Sequence, residues 1–221
     1  MLREGTLAEI SDGRLYELND MVRADCADCR GCSKCCESDM GESITLDPYD
    51  IWMLCRGTGK SFSEMVEHEI ELSVLDGLIL PHMNMTRGCA FLKDKRCSIH
   101  PYRPSICRLF PLGRYYENGD FKYFLQVNEC TRQNRAKIKV EKWIGIEPIE
   151  EHTAFVRKWH NFQGLARRKV SEAKDPKQIR NFMLFLLELF YVTEYDENED
   201  FFVQFHRRLG VAVREMKHIL R

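Results

Sequence analysis

The spacing of apolar residues changes character along the chain. Residues 6–23 carry Leu7, Ile10, Leu15, Leu18 and Met21 at loose helical spacing and predict a helix. Asp47-Pro48 reads as an N-cap followed by proline at the first helical position, opening a short helix to about Cys55. Ser61 with Glu64 three residues on forms a capping box and predicts a second short helix over 62–72. Residues 78–83 and 89–92 are strand-like, and Asn118-Gly119 between the aromatic runs 115–116 and 121–123 marks a hairpin turn. Beyond residue 148 the period becomes helical, with helices expected near 149–171, 176–193 and 198–220. In the second of these, Phe182, Phe185, Leu189 and Phe190 fall on one face and read as core.

Composition narrows this picture. At 221 residues and 44% hydrophobic the chain can bury a sizeable core, which excludes global disorder. The formal net charge of −1 argues against bulk phosphate neutralisation and so against a nucleic-acid partner. The most apolar stretch, Met183 to Val192, is short and interrupted by Glu188, so no membrane span is expected. The N-terminal residues carry charges every few positions and lack the apolar region of a signal peptide, which points to the cytoplasm. In that reducing compartment clustered cysteines bind metal rather than form disulfides.

Ten cysteines stand at 26, 29, 32, 35, 36, 55, 89, 97, 107 and 130, and none follows. The charge divides with them: residues 1–130 carry a net −6 and residues 131–221 a net +5. We therefore expect an α+β protein in two parts. Residues 1–130 form a cysteine-rich, metal-organised domain with short helices and small hairpins. Residues 131–221 form a helical subdomain packed on it, whose modest basic excess is a solvated helix surface.

Residues 26–36 read CADCRGCSKCC, four cysteines at three-residue steps with a fifth immediately after. A C-x-x-C turn brings two sulfurs to one side of the chain, as in zinc knuckles and iron–sulfur loops. The ferredoxin continuation C-P is absent, because Glu37 follows Cys36. Neighbouring side chains in extended backbone point opposite ways, so Cys35 and Cys36 suit two different metals. The remote cysteines 89, 97, 107 and 130 are flanked by Gly88, Pro101, Pro104 and Pro111, which supply fixed bends.

These residues resemble a known family, the zinc- or iron-chelating cysteine-cluster proteins (YkgJ-like) defined by C-x-x-C-x-x-C-C. Cys29, Cys32, Cys35 and Cys36 fit that motif, and Cys89, Phe91, Leu92, Cys97, Ile99, Arg103, Pro104, Cys107, Arg108, Phe110 and Pro111 fit its downstream pattern. Two departures are His100, where the family has tyrosine, and Cys26, an extra thiol one step before the motif. The resemblance covers about residues 29–130. It implies eight metal ligands: Cys29, Cys32, Cys35, Cys36, Cys89, Cys97, Cys107 and Cys130. It also implies a more distant similarity to the cysteine-rich part of flagellin lysine-N-methylases, with which an iron–sulfur cluster has been associated.

Eight thiolates divide naturally into two four-ligand centres. Cys29, Cys32 and Cys35 with one remote cysteine would hold one, and Cys36 with the other three would hold the second. The all-cysteine set and the three-residue steps favour iron–sulfur, one or two [4Fe–4S] clusters, with zinc as the alternative. Three functions stay open: a metal-binding protein whose clusters are structural or redox-active and serve a protein partner, a protein lysine methyltransferase-like enzyme, and a structural or chelating zinc protein. No catalytic residue is apparent.

Other features have plainer readings. Cys55 sits among Ile51, Trp52 and Leu54 and reads as core, while Cys26 stays open between spare thiol and ligand. Gly57-Thr58-Gly59-Lys60-Ser61 lacks the first glycine of a phosphate-binding loop, Leu54 standing there, and reads as a loop with a helix cap. His100 is assigned a supporting rather than a ligating role, and Arg103 and Arg108 could offset thiolate charge.

Overall fold

The computed structural model describes residues 6–27, 32–39, 43–66, 68–132 and 134–220. It has an α+β fold of short helices and small antiparallel sheets, with three long helices toward the C-terminus. Contacts gather it into two compact units, each made of two segments: residues 1–44 with 84–150, and 45–83 with 151–221. The sequence divides once, after residue 130, whereas the structure interleaves its units. Residues 45–83 belong with the C-terminal helices because their apolar side chains bury against the aromatic faces of those helices.

In the first unit a single turn of helix, α1 (Leu7–Ile10), replaces the helix expected over 6–23. The Ser11 hydroxyl donates to Leu7 O, and Gly13 takes a left-handed φ of +76° that ends helical continuation. The chain then runs along another strand, with Tyr16 N–H bonded to Tyr123 O at 2.7 Å. Alternating burial of Val22 and Ala24 defines strand β1 (Met21–Asp25). It pairs antiparallel with β9 (Ala136–Lys139), which leads into α5 (Val140–Ile144). The hairpin forms where Asn118-Gly119 predicts it, between β7 (Leu112–Glu117) and β8 (Asp120–Leu125). Asn118 and Gly119 have φ of +52° and +78°, the left-handed pair that a two-residue hairpin turn requires. A second, minimal hairpin joins β5 (Leu92–Lys93) to β6 (Arg96–Cys97), so the strand expected over 89–92 is mostly turn.

Strand β2 (Ser43–Thr45) leads toward the second unit. Its helix α2 (Pro48–Thr58) opens as the sequence predicts: the Asp47 carboxylate accepts Asp50 N–H at 2.8 Å and the Asp50 carboxylate accepts Asp47 N–H at 3.2 Å. Gly59, left-handed at φ +69°, closes it with its N–H on Cys55 O at 2.8 Å. The glycine-rich segment is thus a helix cap. Helix α3 (Phe62–Val66) is shorter than expected, because Ile70, Leu72 and Val74 alternate and enter β3 (Ile70–Leu75). This strand pairs antiparallel with β4 (Leu78–Asn84).

Three long elements complete the second unit: α6 (Ile149–Glu172), α7 (Pro176–Leu187), which runs on into a wide π turn over Glu188–Val192, and α8 (Phe201–Ile219). Asp175 and Asp200 cap α7 and α8 by accepting Lys177 N–H at 2.9 Å and Val203 N–H at 3.0 Å. The core between them is aromatic. Phe155 and Phe205 meet edge to face at 4.6 Å, Trp159 and Phe190 at 4.9 Å, and Tyr49 of α2 stacks on Phe202 at 5.7 Å. Phe182 and Phe190 are fully buried, while Phe185 and Leu189 of the expected stripe are half-buried. Among the described residues no helix is long and apolar enough to cross a membrane.

Candidate metal centres

Every described cysteine except Cys55 lies in the first unit. Four are drawn together from separate elements. Cys36 stands in a wide π turn (Cys35–Asp39) whose first turn is closed by Cys36 N–H and Glu37 N–H on Ser33 O, at 2.8 and 3.0 Å. Cys89 follows Gly88, and its N–H donates to Cys36 O at 2.7 Å, which ties the remote segment to the motif. Gly88 is needed there twice over. Its φ is +83°, and an added Cβ would stand 3.2 Å from Cys36 O. Cys97 sits at the end of β6, held by Ser98 N–H on Phe91 O at 2.8 Å. Cys107 is carried by α4 (Ser105–Leu109), which starts directly after Pro104.

Cys89 lies within hydrogen-bonding or electrostatic reach of each of the other three. The Cys36 and Cys89 thiols are hydrogen-bonded, which holds the proton on Cys36, raising its pKa, and lowers that of Cys89. Cys97 and Cys107 lie within electrostatic reach of Cys89, and Cys97 also of Cys36. Burial pushes the Cys97 thiol up. The Arg103 guanidinium acts on both Cys36 and Cys97 in the opposite direction, favouring thiolate.

Two arginines keep this wall in shape. Arg103 donates through Nη1 to His100 Nδ1 at 2.8 Å and to His100 O at 3.2 Å. His100 therefore supports the arginine that faces the thiols. Arg108 donates to three carbonyls, those of Arg103 and Gly145 at 3.2 Å each and that of Pro101, and so braces the loop between Cys97 and Cys107. Its three carbonyl contacts make it a backbone clamp.

A second group lines a cavity of the same unit: Cys32, Cys35 and Cys130, joined by Cys26, with Lys34, Glu129, Arg132, Phe110 and Pro111 among the remaining walls. Cys29 lies outside the described residues. Cys35 and Cys36 thus serve different groups. They do so from a turn, where consecutive residues point about 100° apart, rather than from the extended backbone expected. Among the described residues no three His, Cys, Asp or Glu side chains meet at the spacing of a single ion. Lys34 and Arg132 escape the sequence reading as parts of a site, although Lys34 adjoins Cys35 and Arg132 stands two residues after Cys130, so both could have been flagged.

Two further titratable side chains belong to the second unit. Cys55 is half-buried on α2, and burial, reinforced by Glu194, pushes its thiol up to about 11. His82 is buried on β4, where Thr45 Oγ1 lies 3.3 Å from its Nδ1. Both belong to the second unit, whereas the cysteines of the two groups belong to the first.

A family model described as "CxxCxxCC: putative zinc- or iron-chelating domain" matches residues 28–142, which is 115 of the 221 residues. The chain belongs to this CxxCxxCC family. No curated protein and no solved structure matches it. The protein is therefore a cysteine-rich member of a zinc- or iron-chelating family, with a metal as its cofactor. The donors fit: both groups are all-sulfur, and soft thiolates select zinc, copper(I) or iron–sulfur clusters over hard cations.

Proposed function

We propose that this chain is a two-centre metal protein in which thiolates hold iron–sulfur clusters in a structural or electron-carrying role. Cys36, Cys89, Cys97 and Cys107 would hold the first centre, and Cys32, Cys35 and Cys130, with Cys29 from the family motif, the second. The observation that carries this reading is the split of Cys35 and Cys36: one lines the cavity with Cys32 and Cys130, the other is hydrogen-bonded to Cys89. Four sulfur ligands per centre match the four irons of a cubane, and the cluster would supply one-electron chemistry or cross-link its loops. The chain's own residues offset its charge and fix its ligands. Arg103 favours thiolate at the first centre, Lys34 and Arg132 line the second, and Gly88 and Arg108 hold the remote loops.

One observation favours zinc as a second reading. The cavity beside Cys130 has a volume of ≈ 20 Å³, room for one water-sized atom and hence for a single ion. Protein purified without oxygen decides between the two. Iron and acid-labile sulfide in equal amounts, with a brown absorbance that reductant bleaches, is the result expected. Zinc without sulfide or colour would replace the iron–sulfur reading with the zinc one.

A further inference from the structure

We propose that the outer edge of β3 is a homodimer interface, at which a second copy of this chain adds its own β3 antiparallel about Ser73 and joins the two sheets. The interface lies in the second unit and does not depend on the metal reading. Strand β3 stands at the edge of its sheet: β4 pairs with one side, and among the described residues no strand pairs with the other. It exposes three apolar side chains, Leu72 at 40%, Val74 at 64% and Leu75 at 40%. Residues 70–75 contain no lysine or proline, and their register with β4 runs without a bulge, so the usual devices that keep an edge strand single are missing. Both ends of the strand are anchored. Ile70 is buried and Glu69 pairs with Lys60 at one end. At the other, Asp76 lies 3.7 Å from Arg167, and Gly77 packs so close to Val170 that an added Cβ would stand 2.7 Å from its Cγ1.

The hairpin turn decides which backbone groups face outward. Asp76 and Gly77, with φ of +49° and +78°, form a two-residue turn, so Leu75 and Leu78 are a hydrogen-bonded pair. Bonded and non-bonded pairs alternate along an antiparallel ladder. Glu71, Ser73 and Leu75 therefore bond to β4, and Ile70, Leu72 and Val74 turn their N–H and C=O outward. Pro81 agrees with this, because it stands opposite Leu72, where the ladder to β3 needs no N–H. The outward groups are symmetric about Ser73, which makes the edge complementary to itself. Centring on Ser73 sets Leu72 opposite Val74 of the second copy and the reverse, two apolar pairs sharing about four backbone hydrogen bonds. Charge selects the same register. It keeps the two Glu71 carboxylates four residues apart, ~13 Å along the strand. Centring on Leu72 would halve that separation, and centring on Val74 would bring the Asp76 carboxylate opposite an apolar Leu72.

The test is sedimentation of the full chain, purified without oxygen, from ~1 to ~100 μM. Wild type should shift to twice the chain mass as concentration rises. Val74→Lys sets an ammonium opposite Leu72 of the second copy and should weaken the dimer about tenfold or more. Val203→Lys, at an exposed valine of α8, should leave it unchanged. A wild-type chain that stays monomeric throughout, or a dimer that Val74→Lys weakens no more than Val203→Lys does, would overturn the proposal. Hydrogen exchange on the unaltered protein guards against a variant that fails to fold. At the highest concentration the amides of Leu72 and Val74 should be protected, although β4 bonds neither of them. Their exchange at the rate of an open chain would overturn the proposal as well.

Discussion

Gly88→Ala measures how strongly the backbone at the first centre supports its metal. At φ +83° an alanine pays the left-handed penalty, about 1–2 kcal/mol. Its Cβ would stand 3.2 Å from Cys36 O and 3.5 Å from Glu37 O, so the two segments must part by a few tenths of an ångström. That movement stretches the 2.7 Å bond from Cys89 N–H to Cys36 O, worth about 1 kcal/mol. The sum is about 2–3 kcal/mol, and where it is expressed only in the metal-bound state it weakens retention ~30- to 150-fold, at tenfold per 1.4 kcal/mol. Gly13→Ala is the control: it has φ +76° but nothing within 4 Å, so it carries the left-handed cost without the steric one. Denaturant unfolding gives the stability change and competition with a chelator gives the retention. If Gly88→Ala behaved like Gly13→Ala in both, the tie between Cys89 and Cys36 would not support the centre.

Other consequences follow from individual contacts. Arg108→Lys should cost about 2 kcal/mol and loosen metal at the first centre, because an ammonium cannot reach the carbonyls of Pro101, Arg103 and Gly145 as one planar fork does; unfolding and chelator competition together check it. Phe155→Ala removes a fully buried ring that meets Phe205 at 4.6 Å and should destabilise by about 3–5 kcal/mol, read from denaturant unfolding. Cys55 has a folded pKa of about 11 against 9.0 unfolded, so its contribution to stability is full below pH 9 and is lost as pH rises toward 11. Cys55→Ser should abolish that alkaline decline relative to wild type, and the difference between the two unfolding curves tests it. Removing metal with a chelator should lower the unfolding midpoint, since binding to the folded state alone stabilises it.

Local signals in the sequence translate directly into structure where the chemistry is local. The Asp47 cap with Pro48, the Ser61–Glu64 box and the Asn118-Gly119 turn each appear as read, because a cap or a turn needs only its own few residues. The failures are long-range. Residues 6–23 have loose helical spacing, but Val22 and Ala24 also alternate, and pairing with Ala136–Lys139 more than a hundred residues away decides for a strand. Likewise the pairing of Ile70–Leu75 with Leu78–Asn84 stops α3 early. The interleaving of units follows from side chains such as Tyr49, whose partner Phe202 is remote in sequence. At the site, motif spacing marks the cysteines of residues 26–36 and the remote ones, but not which remote thiol joins which group. That depends on the bond between Cys89 and Cys36 and on the cavity wall at Cys130, which no spacing encodes.

The most direct test of the two-centre proposal is metal content per chain in Cys107→Ser and Cys130→Ser, each purified without oxygen beside wild type. Each variant should lose about half of the metal, with the remainder still bound by the other group of thiols. Complete loss of metal in either variant, or retention of all of it in both, would contradict two separate centres.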